Sequence, residues 1–200
     1  MSKINALCVY CGSNAGTDPA FAAAAQDFGK ILAQNGIGLV YGGGSIGLMG
    51  ALATAVLENG GHATGVIPQF LTTRERPRRL AQELIVTRDM HERKRTMFER
   101  ADGFVALPGG IGTLEEVVEQ LTWAQLGRHK KPILFANISG YWDPLLALIA
   151  HMRELQFMPP ALRVDFLVAD RVDDILPKMR EAAHSVSEAE TEMAVPAERL

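Results

Sequence analysis

Residues 108–116 read Pro-Gly-Gly-Ile-Gly-Thr-Leu-Glu-Glu and directly follow a short apolar run at residues 104–107. The run is typical of a buried parallel strand, and the proline ends it. The three glycines, Gly109, Gly110 and Gly112, allow a positive φ and the close approach of a ligand to the backbone. Free N–H groups at the start of the next helix favour an anion such as phosphate. The stretch therefore predicts a strand, a phosphate-binding turn and a helix that begins beside carboxylates.

On either side of this stretch, apolar runs rich in β-branched residues alternate with patterns of helical period. The predicted strands are residues 4–10, 38–41, 63–67, 84–87, 103–107, 133–136 and 166–168, and the predicted helices are residues 19–35, 47–59, 91–100, 113–126, 141–156 and 172–184. This alternation predicts a Rossmann-like α/β fold, in which a doubly wound parallel sheet lies between two helical layers. We expect one domain over residues 1–184 and a disordered polar tail over residues 185–200.

Several loops that contain glycine or polar residues follow predicted strands. They begin at Gly12, Gly42, Pro108 and Asn137. Because ligands of open α/β sheets bind outside the carboxyl ends of the strands, these loops predict one shared site.

Composition and charge exclude several classes of protein. The net charge of −3 gives no electrostatic reason to expect nucleic-acid binding. Apolar runs stay well below the roughly 18 residues of a membrane span, so no membrane partner is expected. After Lys3 the N-terminus continues into only a short apolar strand, which is not a signal peptide. We therefore expect a cytoplasmic protein.

Cys8 and Cys11 form a CxxC pair, which in some proteins is a thioredoxin-like redox motif. A thioredoxin pair needs both thiols at a helix N-terminus, whereas Cys8 lies inside a predicted strand. Buried structural cysteines are the favoured interpretation. There is no second cysteine pair, and the five histidines show no ligand spacing, so we expect neither a metal nor a cofactor.

Residues 42–47 form a GxGxxG sequence after the second predicted strand. The acid that would hold a ribose hydroxyl of a dinucleotide about twenty residues further on is missing. Phosphate or ribose binding by this turn is therefore favoured over a nicotinamide cofactor, and tight strand–helix packing is the alternative.

Two predicted helices begin with possible capping boxes. In the first, Asp89 and Glu92 are followed at once by Arg93 and Lys94. Cations near a helix N-terminus cost about 0.3–1 kcal/mol each, which suggests that an anion compensates them. A solvated basic face is the alternative for Lys94.

The second possible capping box joins Thr113 and Glu116. From the residues alone, capping and catalysis are equally supported for Glu116. Glu115 points roughly 100° away around the helix, so the two neighbouring carboxylates do not form an obvious acid/base pair.

Taken in order, these motifs resemble the Lonely Guy (LOG) family of cytokinin riboside 5′-monophosphate phosphoribohydrolases, which are often labelled lysine decarboxylases. The resemblance covers residues 4–180 and rests on residues 11–13, 41–50, 89–94, 108–116 and 121–127. It implies hydrolysis of nucleoside 5′-monophosphates, AMP included, to a free base and ribose 5-phosphate. A nucleotide-binding sensor or carrier without turnover is the alternative. A pyridoxal-phosphate decarboxylase is disfavoured, since Lys94 is the only lysine well placed for a Schiff base.

The resemblance also implies roles for individual residues. Arg93 and Glu116 correspond to catalytic residues of the family. The substrate-binding positions are Ser13, Gly43, Gly44, Glu75, Met90, Lys94, Gly109, Gly110, Ile111, Gly112, Thr113 and Thr122. Glu75 lies in a basic loop that departs from the family pattern, and Glu83 is its alternative. For Thr122 the alternative is a hydroxyl bonded to the preceding helical turn.

The family resemblance further implies a homodimer. The apolar segment at residues 123–126 is the predicted contact with a partner helix, and ordinary core packing is the alternative.

Overall fold

The computed structural model describes residues 4–72, 81–158 and 164–193, with side chains as far as residue 185 in the last helix. Within these residues the order of elements is β1 (Ala6–Tyr10), α1 (Pro19–Gln34), β2 (Gly38–Tyr41), α2 (Gly47–Glu58), β3 (Ala63–Pro68), β4 (Glu83–Thr87), α3 (Met90–Glu99), β5 (Gly103–Ala106), α4 (Ile111–Gln125), β6 (Ile133–Ala136), α5 (Asp143–Glu154), β7 (Leu167–Ala169) and α6 (Ile175–Met193).

The seven strands form one parallel sheet in the order β4-β3-β2-β1-β5-β6-β7. From β1 the chain proceeds outward to β4, and it then crosses to the other side of β1 to form β5. Cys8 of β1 therefore lies opposite Phe104 of β5 in the register. Because the loops after β1 and β5 diverge at this point, it is the crevice where ligands of such sheets bind.

Two apolar cores lie on opposite faces of the sheet, which confirms the predicted three layers. One core contains Phe28 of α1, Leu52 of α2 and Met179 of α6. The other contains Met97 of α3 and Val117 of α4. Each fully buried side chain of this size stabilises the fold by about 1.5–3 kcal/mol.

Local sequence explains how α1 begins and how closely it packs. Asp18 caps the helix by accepting a hydrogen bond from the Ala20 N–H at 2.9 Å, and Pro19 occupies the first helical turn. Further along, a Cβ on Gly29 would lie 2.7 Å from the Leu52 carbonyl oxygen and 2.8 Å from the Ala55 Cβ. Glycine at this position therefore lets α1 and α2 approach each other closely.

The predicted elements are all present, and their ends differ by at most three residues except at the end of the last helix. Helix α4 begins at Ile111, two residues before the predicted start. The last helix is preceded by a 3-10 turn and continues to Met193, so its predicted end at His184 is wrong. The predicted tail from Ser185 therefore starts inside this helix, because residues 185–193 contain neither glycine nor proline to end it. Among the described helices, none combines the length and hydropathy that crossing a bilayer requires.

Candidate active site

A cavity of about 280 Å³ opens at the carboxyl ends of β1 and β5. Its walls come from the turns after β1, β2 and β5 and from the first turns of α3 and α4. Eight of the predicted site residues line it: Ser13, Met90, Arg93, Gly110, Ile111, Gly112, Thr113 and Glu116. The loops at Gly12 and Gly42 and the turn after Pro108 therefore meet at one cavity, whereas Asn137 of the fourth predicted loop is not among its lining residues.

Arg93 of α3 and Glu116 of α4 form a buried ion pair in this cavity. Nη1 of Arg93 donates to Oε1 of Glu116, and the two side chains are 9% and 10% exposed. The Nε–H of Arg93 donates to the Val66 carbonyl oxygen at 3.0 Å. The guanidinium is thus held by strand β3 on one side and orients the carboxylate on the other.

Burial raises the pKa of Glu116 above its ordinary value of 4.5, although the charge of Arg93 opposes the shift. Water is therefore partly excluded from the carboxylate. Such a carboxylate is a stronger base than an exposed one and is suited to accept a proton near neutral pH.

The start of α4 bears on the capping interpretation, one of the two that the sequence left open for Glu116. Gly110 is the N-cap residue, and no side chain caps the helix there. Thr113 is the third helical residue rather than the N-cap, so the predicted Thr113–Glu116 capping box is wrong. Glu116 instead turns its carboxylate to Arg93. The N–H groups of the first turn of α4 receive no side-chain cap and lie at the cavity wall, where they favour an anion.

The glycines before and within this first turn have different reasons to be glycine. A Cβ on Gly109 would lie 2.2 Å from Oγ1 of Thr113 and 2.9 Å from the Gly12 nitrogen. A Cβ on Gly110 or Gly112 would meet no heavy atom within 4 Å, so both face open space. None of the three has a positive φ, so that expectation is wrong. Close contacts therefore require glycine at position 109. The open space beside Gly110 and Gly112 is available to a ligand.

In the second glycine turn, Gly42 is the residue that contributes to the cavity wall. A Cβ there would lie 2.6 Å from Nη2 of Arg93 and 2.9 Å from Sδ of Met49. Gly43 has a φ of +78° and packs against Ile67 of β3. Neither Gly43 nor Gly44 is part of the cavity lining. A side chain at position 42 would clash with the Arg93 guanidinium, so glycine is required there. Gly43 fits the alternative interpretation of this turn, which is tight packing between strand and helix.

The N-terminus of α2 differs from that of α4. The N–H groups of Leu48 and Met49 donate to the Gly12 carbonyl oxygen at 3.0 Å and 3.3 Å. Because these donors are used within the chain, the structure does not support phosphate binding by them. Of these two helix N-termini, α4 is the one whose first turn has no side-chain cap and contributes several residues to the cavity wall.

Helix α3 begins as predicted, with Asp89 accepting from the Glu92 N–H at 2.8 Å. The Glu92 carboxylate accepts from the Arg88 N–H at 2.8 Å instead of from Asp89. Lys94 is 12% exposed, and its Nζ lies 2.5 Å from Oε1 of Glu115 and 3.0 Å from Oε1 of Glu119. The anions that compensate Lys94 thus include these two carboxylates of α4, and the solvated basic face is wrong for this residue.

The ion pairs of Lys94 also bear on the decarboxylase alternative. Burial alone would lower the pKa of Lys94, but the hydrogen bonds to Glu115 and Glu119 outweigh it and raise the pKa. A Schiff base forms on a neutral amine, which this environment disfavours. Lys94 also lies outside the cavity lining.

Besides Gly43, Gly44, Lys94 and Gly109, the candidates Thr122 and Glu83 do not line the cavity. Thr122 is exposed on α4, and its hydroxyl donates to the Val118 carbonyl oxygen at 2.8 Å, as the alternative interpretation expected. Glu75 lies outside the described residues. The carboxylate of Glu83, its alternative, accepts hydrogen bonds from Nη1 of Arg100 at 2.7 Å and from the Thr64 hydroxyl at 3.2 Å. Since Glu83 is at the amino end of β4, away from the cavity, that alternative is wrong.

Eight residues line the cavity without having been predicted individually as site residues, although the loops at Gly12 and Gly42 were expected there: Val9, Tyr10, Cys11, Gly12, Gly42, Met49, Leu71 and Glu115. Most of them lie at the carboxyl end of β1 or in the turns after β1 and β2, and that position was the available signal. Leu71 is the first residue of the predicted basic loop at residues 71–79 and carries no local signal.

The two cysteines are free and buried, and they belong to different cores. Burial raises the pKa of both thiols well above the ordinary 9.0. The structural interpretation of the CxxC pair is thus favoured over a redox motif. In the part of the chain that the structure describes, no three His, Cys, Asp or Glu side chains are grouped to hold a metal.

Comparisons with known proteins agree with this site. A family model described as "Possible lysine decarboxylase" matches residues 49–179. The probable cytokinin riboside 5′-monophosphate phosphoribohydrolase LOG4 of Oryza sativa subsp. japonica is 47% identical over 90% of this chain and 78% of the relative. The cytokinin riboside 5′-monophosphate phosphoribohydrolase LOG3 of Arabidopsis thaliana is 41% identical over 100% of this chain and 93% of the relative.

Solved structures with the same fold include a molybdenum cofactor binding protein from Rippkaea orientalis. Its TM-score is 0.67 at 20% identity, over 90% of this chain and 98% of that chain. The Moco carrier protein of Chlamydomonas reinhardtii has a TM-score of 0.67 at 22% identity, over 92% of this chain and 99% of that chain. At such identities the likeness concerns the fold alone. The level of identity to the curated relatives, over nearly the whole chain, places this protein in the LOG family of cytokinin riboside 5′-monophosphate phosphoribohydrolases.

Proposed function

We propose that this chain hydrolyses the N-glycosidic bond of nucleoside 5′-monophosphates, those of cytokinins included, to a free base and ribose 5-phosphate. The observation that carries the proposal is the buried Arg93–Glu116 pair beside the uncapped N-terminus of α4. The activity in the names of relatives that are 41–47% identical supports it.

The phosphate binds to the N–H groups of the first turn of α4, where Gly110 and Gly112 leave open space. This contact is remote from the bond that breaks. Its binding energy positions the ribose next to Glu116 and so lowers the barrier of the reaction.

Cleavage of the bond between C1′ and the base nitrogen builds positive charge on the ribose, as in glycoside hydrolysis. The Glu116 carboxylate stabilises that charge and accepts a proton from the attacking water. The water oxygen bonds to C1′, and the base leaves with the electron pair of the broken bond. The proton that Glu116 took from the water then passes to the released base, which gives the neutral product and restores the carboxylate. Arg93 holds the carboxylate in place and opposes its protonation at rest.

The base occupies the apolar part of the cavity. Met49, Leu71, Met90 and Ile111 line that part, and Ile111 is 81% exposed at its mouth. Apolar contacts of this kind suit both a purine ring and a hydrophobic substituent on it. A panel of nucleoside monophosphates that differ in the base measures this preference.

One assay tests the activity and separates it from a carrier without turnover. Purified protein is incubated with AMP or adenosine, and free adenine is measured. The proposal expects adenine from AMP and far less from adenosine, since the nucleoside lacks the phosphate contact. Equal rates on both would contradict the role of α4, and absence of adenine from every monophosphate would favour the carrier.

The active assembly is a homodimer that forms through the outer face of α4. Two large apolar residues on this helix and its C-cap are solvent-exposed outside the cavity: Val118 by 40% and Leu126 by 74%. Trp123 packs against Phe98 of its own chain, with ring centroids 5.2 Å apart, so it contributes to the core. An exposed apolar face of this kind is typical of a protein interface.

The cytoplasmic location stays a prediction, which cell fractionation tests.

A further inference from the structure

Tyr141, in the loop between β6 and α5, reaches the glycine turn of the active site from behind. Its hydroxyl donates a hydrogen bond to the Gly109 carbonyl oxygen. Its ring stands edge-on to Phe21, with centroids 5.4 Å apart, and to Trp142, with centroids 5.0 Å apart. The side chain is thus fixed by two aromatic neighbours and directed at the backbone of the turn.

The turn at residues 108–110 separates two cavities. The active-site cavity lies on one side, and a second cavity of about 260 Å³ lies on the other, with Phe21 and Tyr141 in its lining. Gly12, Ser13 and Gly110 line both cavities. Because space opens on both sides of the turn, packing alone does not determine its position.

Hydrogen bonds hold each of the three successive carbonyl groups of the turn. The Pro108 oxygen accepts from the Gly12 N–H at 3.0 Å, and the Gly110 oxygen accepts from the Leu114 N–H at 3.0 Å. The Gly109 oxygen accepts from Tyr141. Of these three bonds, only the one from Tyr141 is made by a side chain.

The loop that carries Tyr141 is itself attached to the sheet. The Trp142 N–H donates to Oδ1 of Asn137 at 2.8 Å, and Nδ2 of Asn137 donates to Asp143 at 2.8 Å and Asp170 at 3.0 Å. The indole N–H of Trp142 donates to the Ala106 carbonyl oxygen at 3.1 Å. Tyr141 is therefore held in register with β5, the strand that leads into the turn.

We propose that Tyr141 is a positioning residue for the phosphate-binding turn, an inference that rests on the proposed function. The Gly109 carbonyl and the Gly110 N–H belong to one trans peptide group, so they point in opposite directions. By holding the carbonyl on the side of the second cavity, the hydroxyl directs the Gly110 N–H toward the active-site cavity. There the N–H joins the donors of α4 that receive the phosphate.

The test is Tyr141→Phe, which keeps the ring contacts and removes only the hydroxyl. Calorimetry measures the affinity for ribose 5-phosphate and, as a ligand without phosphate, for adenosine. We expect affinity for ribose 5-phosphate to fall roughly three- to tenfold, the effect of one hydrogen bond, and that for adenosine to stay unchanged. In turnover of AMP, KM rises by a similar factor and kcat stays near that of the wild type, because the contact is present before and during the reaction.

Thr64→Val is the matched control, since it also removes a hydroxyl, one on β3 that donates to Glu83 at 3.2 Å, and Thr64 lines neither cavity. It is expected to lower Tm while leaving the ratio of the two affinities unchanged. Unchanged affinity of Tyr141→Phe for ribose 5-phosphate would overturn the proposal. An equal loss of affinity for adenosine and ribose 5-phosphate would also overturn it, because it would indicate general loosening.

The binding measurement is independent of catalysis. If the wild type binds ribose 5-phosphate but releases no base from any monophosphate, the proposed hydrolysis fails and the calorimetric comparison still decides the role of Tyr141. If the wild type does not bind ribose 5-phosphate at all, there is no phosphate-binding turn to position, and the role of Tyr141 is overturned.

Discussion

The guanidinium of Arg93 on α3 and the carboxylate of Glu116 on α4 are paired at the switch point of the sheet, and each side chain is nine-tenths or more buried. Removal of one partner from such a pair typically costs about 3–5 kcal/mol, because the other charge stays buried without compensation. The pair is therefore a poor choice for stability alone. Its position in the wall of the cavity fits the catalytic role proposed above.

Replacement of Glu116 by glutamine tests that use. The glutamine side chain would keep the shape of the original and an oxygen acceptor for Arg93, but it would lose the negative charge. We expect adenine release from AMP to fall at least about a hundredfold, the lower end of the contribution of a general base. Glu115→Gln is the control, since Glu115 also lines the cavity but pairs with Lys94, and its loss is expected to be smaller. Near-wild-type turnover by Glu116→Gln would contradict the mechanism.

The pH dependence of turnover reports the ionisation of the same carboxylate. Burial raises the pKa of Glu116 above 4.5, and the carboxylate is the active form. Activity should therefore rise with pH through an apparent pKa above 4.5, which a profile of kcat/KM measures in the wild type. Residual activity of Glu116→Gln should lack this acid limb. A limb at or below 4.5 would show that burial does not dominate the environment of Glu116.

The raised pKa of Glu116 also affects stability. Activity should rise with pH, whereas the contribution of this group to stability should fall. A carboxyl group whose pKa is higher in the folded state than in the unfolded state favours folding while it is protonated. Its contribution is present below pH 4.5, the unfolded value, and is lost as the pH rises through the folded pKa. Between these two pKa values, the free energy of unfolding of the wild type should fall with pH relative to Glu116→Gln. Denaturant titrations across this window measure the difference, and parallel curves would contradict it.

Two adjacent glycines should respond differently to alanine. In Gly109→Ala the new Cβ would lie 2.2 Å from Oγ1 of Thr113, so the fold must shift, at a cost of about 1–3 kcal/mol, and Tm should fall. In Gly110→Ala the Cβ meets no atom of the chain within 4 Å, and the φ of −88° suits alanine. Its Tm should stay near the wild-type value, while KM for AMP rises because a methyl group enters the phosphate site. Equal KM values for Gly110→Ala and wild type would place the phosphate elsewhere.

The CxxC pair should be unreactive in the folded protein. Because burial raises the pKa of Cys8 and Cys11 well above 9.0, neither thiol ionises appreciably near neutral pH, and both side chains are screened from solvent. Iodoacetamide at neutral pH should alkylate them slowly in the native state and quickly in denaturant, as mass spectrometry measures. Rapid labelling of one native thiol is the behaviour of a redox pair and would contradict the structural interpretation.

The dimer proposal predicts the effect of charge on the outer face of α4. The double variant Val118→Glu with Leu126→Glu places two carboxylates on this face and should halve the mass measured by light scattering. Ala23→Glu adds a charge to the exposed side of α1, on the opposite layer, and should leave the mass unchanged. A wild-type chain that is monomeric at micromolar concentration would refute the proposal.

The order of strands and helices followed from the sequence because it depends on local periodicity. Buried parallel strands appear as short apolar runs, and helices show a period of 3.6 residues. The strand order also predicted which loops lie together, since a parallel sheet places the carboxyl ends of all its strands at one edge. The motif at residues 108–116 could therefore be assigned to the site, and its resemblance to a known family indicated the chemistry.

The roles of individual groups depended on partners far away in the chain, and these only the tertiary structure decided. In the sequence Glu116 resembles a capping residue, but in the fold its carboxylate pairs with Arg93 from another helix. In the sequence the N-terminus of α2 resembles a phosphate site, but in the fold the N–H groups of Leu48 and Met49 donate to the Gly12 carbonyl oxygen. A buried donor or acceptor must find a partner, but local sequence does not specify which distant atom that partner is. The sequence thus determined where the site lies, and long-range hydrogen bonds decided which of its groups remain available to a substrate.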